Sequence, residues 1–252
     1  MSDSVEDHSP TGSRSHTAGS ADEPPRLRRP AVLRRLIRLY ENPRYLEIGV
    51  RHGVTFDRVP AARKVAVDPL LDFDVPAALR ANPHHEYHEV TSDEYFATIV
   101  DPDDRFDVIY LDGLHVYEQT LRDLMNALNH LQPQGVIVID DTRPPTYLAS
   151  IPGREDFFRV REYLGTTAQA WMGDVYRLVW FIETFCPHLS YGTILDNHGQ
   201  TVVWRQRRTD YPQRSLAEVA GLTFEDMVRE EEVLRVEPFG RIRTRLRQDL
   251  GL

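Results

Sequence analysis

The sequence has one cysteine, Cys186, so no internal disulfide is possible and a reducing compartment is the expected setting. It has one lysine, Lys64; the other 29 of its 30 basic residues are arginine. No apolar run is long enough to span a bilayer. The first residues contain no apolar core of the secretory kind, so a cytoplasmic protein without membrane attachment is expected. Positive charge is not in excess. Acids outnumber bases 39 to 30, a net charge of −9, which argues against a diffuse nucleic-acid binder. What is present is ordinary globular material: 252 residues, 41% hydrophobic and 27% charged, enough to bury a core without staples.

Residues 1–25 contain only Met1, Val5, Ala18 and Ala21 as hydrophobic residues and carry a net charge of −4. Such a segment buries too little to offset its ordering entropy, and a disordered, solvated tail is expected. The remaining 26–252 read as one α/β domain. Residues 26–41 open it with an amphipathic helix, since Val32, Leu33, Leu36, Ile37 and Tyr40 recur at helical spacing beside an arginine-rich face. Strands and helices then alternate. Tyr45–Val50, Lys64–Asp68, His85–Val90, Phe106–Asp112 and Gly135–Asp141 are strand candidates. Leu121, Leu124, Met125, Leu128 and Leu131 mark a helix that Gln132-Pro133-Gln134-Gly135 should stop and turn. Near-continuous apolar strands between helices indicate a parallel sheet covered on both faces.

Further on, a helix over about 174–185 precedes two strands, Leu189–Leu195 and Thr201–Arg205, joined by Asn197-His198-Gly199. Residues 142–172 form a long connection at the site end of the sheet, where substrate lids are found. Residues 211–252 form a helical extension. Within it Thr223 and Asp226 suggest a capping box, and Phe224, Met227, Val228 and Leu234 form an apolar stripe that offers a face to a second copy of the chain.

Two constellations carry chemistry. In the first, Glu47-Ile-Gly-Val-Arg-His-Gly53 ends the first strand, where open parallel sheets bind ligands. Gly49 and Gly53 permit a tight turn and close backbone approach. Their spacing is not the dinucleotide G-x-G-x-x-G, which counts against NAD. Asp68 ends the second strand, where a carboxylate can accept both hydroxyls of a ribose. A purely structural turn, with Asp68 before Pro69, satisfies each pattern alone. Together they point to a nucleoside cofactor.

In the second, Asp112 ends the fourth strand, with His115 three residues on, and Asp140-Asp141 end the fifth, 28 residues after Asp112. Adjacent parallel strands would gather three carboxylates, whose repulsion a hard cation such as Mg²⁺ removes. His115 could take a proton from a substrate hydroxyl, being the residue type that titrates near neutral pH. Alone, an Asp pair is often a cap and a loop histidine often idle; their joint placement at strand ends favours a site. In the connection, Arg143 and Tyr147 could contact a sugar by hydrogen bonding and stacking, or simply pack the segment. His84, His85 and His88 read as structural or solvated, and Cys186 as inert.

The stretches Y-L-E-I-G-V-R-H-G-V-T-F and K-V-A-V-D-P resemble the cofactor-binding opening of class I S-adenosylmethionine-dependent methyltransferases. That resemblance implies a Rossmann-like, seven-stranded, mostly parallel sheet with an antiparallel final hairpin. It places the methionine and ribose of S-adenosylmethionine against Gly49 and Gly53, its ribose hydroxyls on Asp68, its methionine end near Glu47 and Asp112, and its adenine near Ser92 in Thr91-Ser92-Asp93. F-D-V-I-Y-L-D-G-L-H-V-Y-E-Q-T-L-R-D-L and G-V-I-V-I-D-D-T-R-P resemble a narrower group, the metal-dependent sugar O-methyltransferases of macrolide and aminocoumarin sugars and their cephalosporin-pathway-like relatives. There the carboxylates at Asp112, Asp140 and Asp141 would hold Mg²⁺, and His115 would be the general base. Gly173-Asp174-Val175-Tyr176 resembles a G-D-V-W element of that group. The resemblance spans about residues 40–206.

The expectation is a methyltransferase acting on a sugar hydroxyl of a saccharide, glycoside or oligosaccharide, methylated mannosides included. A catechol or phenol O-methyltransferase is the alternative, although that group typically carries Lys at position 115 and Asn at 141. A non-catalytic nucleotide- or partner-binding protein of the same fold is the second.

Overall fold

The computed structural model describes residues 27–252, and the expected tail over 1–25 lies outside them. The strands are β1 Arg44–Ile48, β2 Arg63–Val67, β3 His85–His88, β4 Phe106–Leu111, β5 Leu131–Ile139, β6 Leu189–Ile194, β7 Thr201–Arg205 and β8 Val236–Glu237. They form one sheet in the order β3-β2-β1-β4-β5-β7-β6-β8. Strands β1 to β5 pair in parallel, while β7 runs antiparallel to both β5 and β6. This is the expected mixed, Rossmann-like α/β architecture with its antiparallel hairpin. The eighth strand was not anticipated: two residues of the C-terminal extension add themselves in parallel to β6, too short a run to leave a periodic signal.

The helices are α1 Arg29–Ile37, α2 Val75–Ala81, α3 Ser92–Glu94, α4 Tyr117–Asn129, α5 Arg154–Tyr163, α6 Arg177–Phe185, α7 Leu216–Ala220, α8 Phe224–Arg229 and α9 Phe239–Leu250. Strand residues alternate between two apolar layers, as a pleated strand requires. Leu46, Ile48, Ile109, Leu111, Ile137 and Ile139 pack toward α4 and α6. Tyr45, Val108, Tyr110, Val136 and Val138 pack on the other face, with Val32, Leu33 and Leu36 of α1 and Ile242 and Leu246 of α9.

Three expectations need correction. Helix α4 ends at Asn129, and Gln132–Gly135 do not turn the chain; they lie within β5 as a bulge, between the pairs Phe106–Leu131 and Val108–Val136. A bulge leaves the Pro133 nitrogen, which cannot donate, out of the ladder. The capping box at Thr223 and Asp226 forms, but it opens only the six-residue α8; Leu234 lies in a separate 3₁₀ turn and Val228 is exposed. The long helix of the 211–252 extension is α9, which carries none of the stripe residues. Cys186 is buried, and burial pushes its thiol up to about 11.

The register places the site. Ile48, Leu111 and Ile139 pair across β1, β4 and β5. The ladder continues one step, with Asp112 N donating to Ile48 O and Asp140 N to Leu111 O, both at 2.9 Å. Gly49, Asp112 and Asp140 therefore emerge side by side where the strand order reverses, the usual ligand crevice of such sheets.

Candidate active site

Two cavities meet at this crevice. The first, about 920 Å³, is lined by Glu47, Gly49, Asp68, Ser92 and Asp112, with Gly53 buried in the same turn. The second, about 1040 Å³, is lined by Asp141, Arg143, Trp171, His198 and Phe224. His115, Arg29 and Trp171 line both and mark the junction.

The first cavity is shaped by backbone. Gly49 has φ +91, and a β-carbon there would stand 1.9 Å from the carbonyl oxygen of Asp112, so only glycine lets β1 and β4 approach at this level. Gly53, at φ +71, closes the turn with its N–H on Val50 O at 2.9 Å. Asp68 accepts from Arg51 N at 2.9 Å and Leu70 N at 2.8 Å, so the carboxylate is aimed by the loops it joins. Ser92 Oγ accepts from Gln119 Nε2 at 3.2 Å. Glu47 is buried with Tyr45 Oη donating to it at 2.6 Å; burial, reinforced by Asp112, pushes its carboxyl up to about 8. This is a carboxyl held neutral until a cation reaches it.

The three expected metal carboxylates lie at neighbouring strand ends, where Asp141 shares a group of closely spaced ligand atoms with Asp112 and His115 and another with Asp140 and His198. Val108, Tyr110 and Asp112 share one face of β4, and Val136, Val138 and Asp140 the corresponding face of β5. Tyr110 Oη donates to Asp140 Oδ2 at 2.6 Å and lies 3.1 Å from Asp112. Asp141 follows at φ +59, a left-handed turn that swings its side chain into the same space. Burial raises the Asp141 carboxyl well above its ordinary range, and Asp140 adds to the rise. Burial likewise raises Asp112. Asp140 is held below its usual value despite burial, because His198 and Arg29 stand on it.

His115 lies between the cavities. Its ring stacks on Trp171 at 4.8 Å and 17°. Its Nδ1 is 3.1 Å from Trp171 O, and its Nε2 is 3.6 Å from Asp112 Oδ1. Burial opposes a charge on the ring, but the bond to Asp112 and the fields of Asp141 and Asp112 outweigh it and raise the imidazole to about 9. The loop bearing His115 is clamped by the G-D-V-Y segment. Gly173 has φ +64, and a β-carbon there would fall 1.7 Å from His115 O. Asp174 Oδ1 accepts from Tyr117 N at 2.8 Å, and Met172 N and Gly173 N both donate to Ala149 O.

Of the expected substrate residues, Arg143 lines the second cavity and pairs with Glu231 at 2.8 Å. Tyr147 is exposed, edge-on to Phe224 at 6.3 Å, and is not among the residues lining either cavity. Four participants went unscored in the sequence. Tyr110 stands two residues before Asp112, a period-2 signal that was readable. Asp123, a buried acid lining the first cavity, accepts from Gln119 at 3.1 Å one helical turn away. His198, on the β6–β7 turn, reaches Asp140 Oδ1 at 2.8 Å. Arg29 enters from α1 and pairs with Asp140, with Asp141 at 3.4 Å and with Asp112 at 4.0 Å. Nothing in its sequence neighbourhood distinguishes it from the other arginines of 26–40.

The chemistry of this donor set fits a divalent cation. Asp141 Oδ2 is buried and makes no well-directed hydrogen bond among the described residues, its neighbour being His115 Nδ1 at 3.1 Å, and a guanidinium already finds the carboxylate cluster favourable. Asp112, His115 and Asp141 can offer converging ligand atoms, and so can Asp140, Asp141 and His198.

Residues 46–142 match the family model described as a methyltransferase domain. A solved Staphylococcus aureus protein, provisionally assigned as a caffeoyl-CoA O-methyltransferase, superposes with a TM-score of 0.51 at 14% identity, covering 70% of this chain and 82% of that one. The O-methyltransferase TomG of Streptomyces achromogenes, involved in tomaymycin synthesis and solved with S-adenosylmethionine, gives 0.47 at 17% identity over 69% and 78%. A Bacillus cereus O-methyltransferase in complex with S-adenosylhomocysteine gives 0.48 at 15% identity over 69% and 79%. No curated protein matches the chain. The matched segment begins within β1, ends at Thr142 and contains Glu47, Gly49, Asp68, Ser92 and Asp112 of the first cavity, with Asp140 and Asp141; Arg29 and Trp171, which also line that cavity, lie outside it. Residues 46–142 are thus similar to a methyltransferase domain, and the fold is similar to that of the Staphylococcus aureus structure.

Proposed function

We propose that this chain is an S-adenosylmethionine- and Mg²⁺-dependent O-methyltransferase whose acceptor is a sugar hydroxyl on a saccharide, glycoside or oligosaccharide. The observation that carries the reading is the junction of two cavities at His115, beside the buried carboxylates of Asp140 and Asp141 and the half-buried Asp112. In this reading the donor lies in the first cavity. Gly49 and Gly53 border its methionine portion, Asp68 accepts the ribose hydroxyls, Ser92 borders the adenine, and Glu47 ionises against the ammonium group. The acceptor lies in the second cavity under residues 142–172, with Arg143 within hydrogen-bonding reach of it; Tyr147 contributes only from the rim.

His115 holds the proton of the acceptor hydroxyl at Nε2, since Nδ1 already turns a hydrogen to Trp171 O, and Trp171 keeps its ring face-on at the junction. When bound by Asp112, Asp140 and Asp141, Mg²⁺ supplies a Lewis acid that lowers the acceptor's pKa and draws the carboxylate field off His115. The acceptor oxygen then attacks the sulfonium methyl in line; the O–C bond forms as the S–C bond breaks, the electron pair returns to sulfur, and S-adenosylhomocysteine leaves. The protein's contribution is chiefly positioning of the two partners. Histidine at 115 and aspartate at 141 favour this reading over a phenol acceptor.

The test is methyl transfer to a panel of monosaccharides, glycosides and catechols, with and without chelator. The reading expects turnover on a sugar that EDTA abolishes and Mg²⁺ restores. Turnover unaffected by chelation removes the metal, and transfer confined to catechols removes the sugar.

A further inference from the structure

Arg29 is placed in an unusual way for a residue outside the strand ends. Its guanidinium pairs with Asp140, reaches Asp141 at 3.4 Å and Asp112 at 4.0 Å, and its Nε lies 2.7 Å from His198 Nε2. It therefore touches every member of the Asp140–Asp141–His198 group and the carboxylate of the neighbouring strand. The reason is topological. Asp112 and Asp140 project from the face of the sheet that α1 covers, and Val32, Leu33 and Leu36 anchor α1 there, fully buried. Arg29 is in the first turn of that helix, so its side chain is delivered to the strand ends by the same packing that seats the helix. The guanidinium reaches only Oδ1 of Asp141; Oδ2 faces His115 Nδ1 at 3.1 Å without a well-directed hydrogen bond, so one guanidinium does not satisfy the cluster.

We propose that Arg29 is a tethered counter-cation of the carboxylate cluster, which a divalent metal ion must displace in order to bind. The inference rests on the metal-dependent reading above. A guanidinium and a hard divalent ion cannot share the oxygens of Asp140 and Asp141 at ligand distance, because both are positive and the space is buried. Metal affinity is thus set by the difference between two cations, one of them supplied by the chain. Departure of the guanidinium also frees His198 Nε2 as a ligand atom. The N-terminal turn of α1 thereby reports the metal state of the active site, and the competition protects the carboxylates from mutual repulsion when metal is scarce.

The experiment uses the full-length protein and Mn²⁺ as probe, titrated calorimetrically without substrate, with S-adenosylhomocysteine affinity measured in parallel. Arg29→Met keeps the aliphatic stem and removes the charge. Arg34→Met changes an exposed arginine of the same helix and serves as the control. Arg29→Met is expected to bind Mn²⁺ at least about tenfold more tightly than wild type, and to melt at a lower temperature in chelator but not in Mn²⁺, since unpaired buried carboxylates are costly. Arg34→Met should match wild type in both. Equal or weaker Mn²⁺ binding by Arg29→Met, with wild type binding normally, overturns the competition while leaving the metal-dependent enzyme intact. Absence of Mn²⁺ binding in all three proteins overturns the metal site itself, and absence of S-adenosylhomocysteine binding overturns the methyltransferase reading.

Discussion

Gly173→Ala should cripple turnover although residue 173 touches no substrate in this reading. The glycine is at φ +64, where an alanine costs roughly 1–2 kcal/mol. The larger effect is steric. The added β-carbon would lie 1.7 Å from His115 O, whereas real β-carbons keep about 3.0 Å from such atoms, so the two backbones must part by more than 1 Å. The same contact reaches the His115 β-carbon at 3.1 Å, and the bond from Tyr117 N to Asp174 lies one residue along. A displacement of that size at a positioned base costs on the order of 10²-fold in rate.

Gly165→Ala separates the two causes. Its φ is +62, yet nothing lies within 4 Å of the added carbon, so it carries only the conformational cost. The assay is single-turnover methyl transfer, with S-adenosylhomocysteine affinity as the check that the first cavity persists. We expect Gly173→Ala to lose about 10² in rate while Gly165→Ala stays near wild type. Equal rates in the two variants would refute the argument that the G-D-V-Y clamp positions His115.

Two further predictions follow from single residues. His115→Ala should leave S-adenosylhomocysteine binding nearly intact and reduce turnover by about 10²–10⁴, the range for a positioned base; unchanged turnover removes it from the mechanism. Glu47 titrates near 8 when folded against an ordinary 4.5, chiefly through burial, so the native state binds the extra proton and stability should fall as pH rises between those values. Glu47→Gln keeps a partner for Tyr45 and lacks that titration. Urea unfolding at pH 5, 7 and 9 should show wild type losing stability relative to Glu47→Gln, and parallel profiles would contradict the buried-acid account.

The chain's local patterns were enough to define the α/β alternation, the ends of β1, β2, β4 and β5, and the residues leaving those ends. The reason is that a buried parallel strand needs a short apolar run, and its site residues follow at once, as in V-I-Y-L-D and I-V-I-D-D. The capping box at Thr223 was legible for a similar reason, since it is made within four residues. Features made by contacts distant in sequence were not. The bulge at Gln132–Gly135 depends on what β4 requires of its neighbour, and the pairing of β8 with β6 depends on where the C-terminal extension is carried.

The same division runs through the site. Sequence alone determined that carboxylates, a histidine and two glycines would cluster at strand ends. Only the tertiary structure decided that Tyr147 is exposed outside the lining of both cavities, that Tyr110 bridges Asp140 and Asp112, that Gly173 packs on the His115 loop, and that Arg29 enters the carboxylate cluster. A strand-end position is encoded in the strand itself. The identity of the cation that meets a carboxylate from another element is set by packing between helix and sheet, and Arg29 differs from its five neighbouring arginines only in where the buried face of α1 points it.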